Sequence, residues 1–286
     1  MKNLLFLAII FSVPTTIFSQ GAVEYRDDQL DYFSWFHEHS NTVDLYQSGK
    51  IIYTFVSNAP IRREACIEST IITKLPIGAP VTNLFDETDD IVWESINGYN
   101  DIWHRVKGFD EKGHRFIGYL WGGHIAKAYQ PAFVTGDGGE EFVLLGVSSQ
   151  KRKGIHDTKA ELKVVSDNKV IASTTVPDMC LFEECTSDAL VRVLTDQPFK
   201  GEIMIEASSM TISCATGIEK NYFSWQGGQL KHVYHSSMPD DRVSKNKSFQ
   251  YENKNETILC RFSHEKADFT PVWSCKRIKK GANTRA

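Results

Sequence analysis

The chain has 286 residues, 41% of them hydrophobic and 12% aromatic, which excludes bulk disorder and fibrous structure and allows one or two independently cored domains. Its formal net charge is −4 at pH 7, and no long basic stripe occurs before the last eleven residues. A phosphate backbone therefore finds no docking surface, and no nucleic-acid partner is expected.

The first residues carry Lys2, then the apolar run Leu4, Leu5, Phe6, Leu7, Ala8, Ile9, Ile10 and Phe11, then Pro14, Thr15 and Thr16. That order is that of a secretory signal peptide over 1–20, with small Ser19 marking cleavage before or just after Gln20. The run is shorter than the roughly 20 apolar residues that cross a bilayer. No second apolar span follows, and no Cys lies near the cleavage point. The expected product is exported, periplasmic or extracellular, with neither a transmembrane span nor a lipid anchor. In the segment 21–52, Leu30, Phe33, Trp35 and Phe36 approach a helical period behind acidic residues, which predicts one short helix over 28–39.

From Gly49 the period shortens to two and β-branched and aromatic residues dominate. The strand Ala59-Pro60-Ile61-Arg62 is followed by a loop over 63–70, the apolar pair Ile72 and Leu75, and a turn at Pro76-Ile77-Gly78. A strand over 79–84, a long hairpin over 85–99, Trp103 with Val106, and Gly118-Tyr119-Leu120-Trp121 with Ile125 complete the series. This order, spanning about a quarter of the chain, resembles the bacterial SH3-like domain. The resemblance implies a small barrel over 53–128 that binds rather than catalyses. Two features depart from the family pattern: Arg63-Glu64-Ala65-Cys66 replaces the usual Gly after Arg, and the 85–99 hairpin is longer. The aromatics exceed what a small barrel's core needs. Trp93, Tyr99, Trp103, Tyr119 and Trp121 are therefore candidate ligand contacts, each joining an apolar body to a polar tip.

Residues 129–140, rich in Gly with one Pro, read as a linker. Beyond it, alternating segments at 141–148, 160–165, 169–176, 189–194, 201–207, 211–214, 222–225, 230–234, 248–253, 257–262 and 272–278 recur at about 8–12 residues, the spacing of a sandwich or barrel. Gly227-Gly228 and Asp167-Asn168 are hairpin turns by composition. Cys214-Ala215-Thr216-Gly217 followed by Tyr222-Phe223-Ser224-Trp225 resembles the region after the SH3-like domain in exported proteins of Bacteroidetes-type bacteria. The expected fold is all-β: an SH3-like barrel, a β-sandwich-like domain over 141–278, and a basic tail over 279–286.

All six cysteines, Cys66, Cys180, Cys185, Cys214, Cys260 and Cys275, follow the leader, where an oxidising compartment permits disulfides. Buried free thiols and a metal site are the other readings, although Cys-x-x-Cys spacing is absent. Cys180 with Cys185 could close a tight loop, and Cys260 with Cys275 could staple two C-terminal strands. His37-Glu38-His39 places its imidazoles on different helix faces, and His232 and His235, an odd number apart, fall on opposite strand faces. The acidic run Asp86-Glu87-Thr88-Asp89-Asp90 lacks the spacing of an EF-hand loop. No metal and no cofactor are expected. Neither a Gly-x-Ser-x-Gly elbow nor His-Glu-x-x-His occurs, and Cys66 lacks the local signature of a peptidase thiol. The expected function is an exported, non-catalytic binding or scaffold protein contacting an envelope polymer such as peptidoglycan, or an envelope protein. A cell-envelope hydrolase with an unrecognised catalytic C-terminal domain is the alternative.

Overall fold

The computed structural model describes residues 48–85, 90–134, 140–152, 155–179, 181, 186–194, 203–212, 216–226, 228–238, 248–252, 256–265 and 271–279. The leader, the expected helix over 28–39, the acidic residues 86–89, Cys180, Cys185, Cys214 and most of the basic tail lie outside the described residues.

The fold is all-β. Strands β1 (Ile51–Tyr53), β2 (Ala59–Arg62), β3 (Ile71–Leu75), β4 (Pro80–Asn83), β5 (Trp93–Ile96), β6 (Tyr99–Phe109) and β7 (Arg115–Trp121) form one sheet. Its order is β1-β4-β6-β7-β2-β3, with β5 paired to β6. Alternation decides which side closes inward. Ile52, Ala59, Ile61, Leu75, Val81, Val106, Phe116, Leu120 and Ile125 fill the small barrel's interior. The β5–β6 hairpin turns through Asn97 and Gly98, both at positive φ (54° and 73°), as its right-handed twist requires.

The described ends of the stretch expected to be a linker, 129–134 and 140, carry strand, and its Gly-rich centre 135–139 lies outside the described residues. Tyr129, Phe133 and Val134, good strand formers, put β8 (Ala128–Val134) on β9 (Glu140–Arg152). With β10 (Ile155–Ser166) and β11 (Lys169–Thr175) these make a curled half-barrel ordered β11-β10-β9-β8. A second four-stranded sheet runs β12 (Thr186–Leu194), β13 (Ile203–Ile212), β14 (Thr216–Gln226) and β15 (Gln229–Met238). β12 approaches β8 and β11 approaches β15, so the two sheets enclose an apolar layer that includes Val143, Leu145, Leu162, Val191, Ile205 and Phe223. Asp167 and Asn168 turn β10 into β11 at φ 48° and 59°. A three-stranded sheet of β16 (Ser248–Glu252), β17 (Glu256–Glu265) and β18 (Pro271–Lys279) follows, and Cys260 directly opposes Cys275 in its register.

Strand β9 is buried on both faces. Val143, Leu145 and Val147 point into the sandwich layer, while Leu144 joins Phe55, Ile77, Ala126 and Val165 in a separate cluster against the barrel. Gly146 makes this contact possible, since a Cβ there would lie 2.7 Å from the Phe55 ring. From the next strand Lys163 caps the same ring, its Nζ 3.9 Å from the centroid, and donates to the Phe55 carbonyl at 3.2 Å. A desolvated ammonium over an aromatic face is attractive, and Glu161 at 3.4 Å supplies the counter-charge. Burial lowers the Lys163 pKa from its ordinary value.

Gly146→Ala is expected to destabilise the protein by about 1–3 kcal/mol through overpacking against Phe55. In a denaturant-melt double-mutant cycle, adding Phe55→Leu should recover part of that loss. Strictly additive losses would place the strain elsewhere.

Candidate binding face on the barrel

The five candidate aromatics divide by burial. Tyr99, Trp103 and Trp121 are 7%, 6% and 4% exposed and join the layer that packs the β5–β6 hairpin against the half-barrel, so they offer a ligand no surface. Trp93 is 41% exposed on edge strand β5, and Tyr119 is half-buried. Composition counted these rings correctly but could not register the second sheet that covers three of them.

The buried indoles find partners in one residue. Trp103 Nε1 donates to the Glu94 carboxylate at 2.7 Å, and Trp121 Nε1 donates to the Glu94 carbonyl at 3.1 Å. The same carboxylate accepts the Ile67 amide at 3.1 Å, tying the 63–70 loop to β5. Trp121 folds back over Gly123, where a Cβ would stand 2.2 Å from the ring. Nearby, Lys127 pairs with Asp101 at 2.7 Å and also donates to the Gly122 carbonyl at 3.2 Å. These contacts make the 121–127 corner a fixed scaffold.

The barrel's outer face carries what the aromatic count missed. Tyr119 on β7 is the register partner of Arg105 on β6 and of Arg62 on β2, and directly opposed residues share a face. The row is therefore Arg105, Tyr119, Arg62, continued by Ile71 on β3. Ile71 and Ile117, 41% and 49% exposed, border it. Arg62 Nη1 donates to the Ser69 carbonyl at 2.6 Å, while its Nε is buried without a hydrogen-bond partner among the described residues. Neither arginine forms an ion pair among the described residues. The sequence signal was the Ile61-Arg62 strand end, but only the register shows that a second arginine lies across Tyr119.

His124 stands edge-on to Trp121, with ring centroids 5.1 Å apart, and its Nδ1 is buried without a hydrogen-bond partner among the described residues. Burial, helped by the nearby Arg62 charge, lowers its pKa from 6.5 to about 4. Cys66 on the adjacent loop donates its thiol to Glu68 Oε2 at 2.9 Å, which pushes the thiol pKa up. A nucleophile needs the opposite shift.

His232 and His235 share a face, contrary to the parity expectation. A bulge skips Val233, so His232 opposes Phe223 while His235 opposes Asn221, two residues apart on one strand. His232 Nε2 meets Asn221 Oδ1 at 2.9 Å, and His235 Nε2 meets Glu219 Oε2 at 2.6 Å. Among the described residues no group of three His, Cys, Asp or Glu could hold a metal ion. Glu206 is fully buried on β13, held by Arg192 at 2.6 Å and by the Ser208 hydroxyl at 2.7 Å. Burial pushes its carboxyl up, but Arg192 and Lys220 overcome that and hold it below its ordinary value.

Comparison of the chain with protein-family models, curated proteins and solved structures found no match in any of the three. Among the described residues, no helix is long and apolar enough to cross a membrane.

The His124 shift carries a sign. Because the folded pKa of about 4 lies below 6.5, the unfolded chain takes up the proton first as pH falls. Stability present above pH 6.5 is lost on descending to about pH 4, by roughly 3 kcal/mol at most. Denaturant melts across this window should show His124→Asn losing less stability than the parent chain. Equal losses would mean that His124 titrates normally.

Proposed function

We infer that this is an exported binding or scaffold protein whose barrel contacts a cell-envelope polymer, with peptidoglycan the leading candidate and an envelope protein the other. The observation that carries the reading is the row of exposed Arg105 and half-buried Tyr119 and Arg62, cationic and aromatic, without an ion pair among the described residues and bordered by Ile71 and Ile117. Guanidinium groups without an ion pair among the described residues, beside a phenol on a rigid sheet, form a recognition surface. Two sequence readings support it: the leader-like order of residues 1–20 and the resemblance of the barrel's strand order to the SH3-like domain. The packed layer behind Trp103 and Trp121 holds that face rigid. The raised thiol of Cys66 gives no support to a cysteine hydrolase.

Export brings the cysteines into an oxidising space. Residues directly opposed in an antiparallel pair have Cα atoms about 4.5–5.5 Å apart, inside the range a disulfide spans. Cys260 and Cys275 stand in that relation and are proposed to be bonded; Cys180 and Cys185, outside the described residues, are proposed as a second pair. Peptide mapping without reductant should return both linked peptides from protein taken from the oxidising compartment. Alkylation of all four as free thiols would remove both pairings.

A pull-down of the folded protein on purified peptidoglycan and on envelope extract tests the function. Saturable capture is expected, and Tyr119→Ala should weaken it several-fold while Tyr222→Phe, buried on the far sheet, leaves it unchanged. Capture by neither material would refute the reading.

A further inference from the structure

We propose that the end of the β6–β7 hairpin is a docking tip for an anionic phospholipid surface, with Phe109 entering the headgroup layer and Lys107 and Arg115 meeting lipid phosphates. The inference goes beyond the polymer-binding reading and does not depend on it.

The tip is apolar on its outer face. Phe109 is 68% exposed, more than any other large hydrophobic side chain among the described residues. Alternation puts it there. Phe116 already fills the interior position opposite Gly108, where a Cβ would lie 2.8 Å from its ring, and Phe109 pairs with Arg115 on the other face. The register extends the patch across three more strands: Ile117 opposes Lys107, Lys107 opposes Thr82, and Thr82 opposes Ile51, so all four share that face. Ile51, like Ile117, is about half exposed. Three exposed apolar side chains with two cations set among them match an interfacial surface, where apolar groups enter the acyl boundary and cations stay at the phosphates.

Charge selects the occupant. The chain carries a formal net charge of −4, yet residues 105–117 hold four cations, Arg105, Lys107, Lys112 and Arg115, against two carboxylates, Asp110 and Glu111. One of those carboxylates is spent inside the turn. Asp110 Oδ1 accepts the Lys112 and His114 amides at 2.9 and 2.7 Å, and its Oδ2 faces His114 Nδ1 at 3.4 Å. None of the four cations forms an ion pair with a described residue. A positive tip on an acidic chain is drawn to an anionic surface and orients the molecule on it.

Shape agrees with charge. From Gly108 to Phe116 the hairpin pairs only with itself, because β4 meets β6 at Val106 and Lys107 and β2 meets β7 at Tyr119. The Asp110 bonds and Gly113, at φ 78°, fix the turn. A fixed, projecting tip suits a flat bilayer and needs no cavity.

Flotation of the full chain with vesicles tests the tip, using phosphatidylcholine alone and phosphatidylcholine mixed equally with phosphatidylglycerol. Parent and variants share one N-terminus, so partitioning through residues 1–20 cancels between them. Saturable binding to the mixed vesicles is expected, at least about tenfold tighter than to phosphatidylcholine alone and weakened by salt. Phe109→Ser, and separately Lys107→Gln combined with Arg115→Gln, should each lose about tenfold while melting like the parent. Tyr222→Phe should bind as the parent does. Equal binding to the two vesicle types, no saturable binding, or full binding by Phe109→Ser would overturn the proposal. A parent chain that is dimeric by light scattering, becomes monomeric in Phe109→Ser and binds no vesicles would also overturn it, assigning the patch to a second copy. Vesicle binding and peptidoglycan capture are separate measurements, so either reading can fail alone.

Discussion

The contact between Phe55 and the backbone of Gly146 is the constraint on which the arrangement depends. A ring that is fully buried, lying against a strand with no side chain at that point and capped by Lys163, leaves no play between the barrel and the half-barrel. Strand β9 gives its odd residues to the sandwich layer and its even ones to the barrel, so one strand serves two cores. The covered end of that barrel face is therefore committed to packing, and recognition falls to the end that the half-barrel leaves uncovered.

This division explains why aromatic residues of similar type have different roles. Trp103 and Trp121 are partners across β6 and β7 and lie at the end of the face that the half-barrel covers, where Glu94 satisfies both indoles. One row further out Tyr119, half-buried and still packed against that layer, lies between two arginines. A single sheet face thus grades from buried apolar to exposed cationic within a few residues, and the buried end holds the exposed end still.

Much of the strand content was legible because alternation and turn chemistry agree locally. Asp167-Asn168 adopts the positive φ that its composition suggested, and each expected C-terminal run overlaps a strand, although β10 and β14 start well before theirs. The failures have physical causes. Ser208 and Ser209 read as a break, yet β13 runs through them because both are buried, Ser208 bonded to Glu206. Residues 129–140 read as a linker, yet at their start the Tyr129 ring lies 4.4 Å, centroid to centroid, from that of Tyr53 between the two cores. His232 and His235 obey the parity rule until the bulge at Val233 cancels it. The candidate site was half legible: Tyr119 was singled out as an aromatic, but the placing of Arg62 and Arg105 on either side of it depends on three strands meeting in a particular register.

Hydrogen–deuterium exchange, with and without soluble peptidoglycan fragments, tests most directly the claim that one end of this barrel face is sealed by packing and the other end recognises ligand. In the free protein the amides of 142–146 and 101–106 should exchange slowly, and ligand should add protection at 60–63, 104–107 and 115–120. Added protection confined to the C-terminal sheets, or fast exchange through 142–146, would contradict the account.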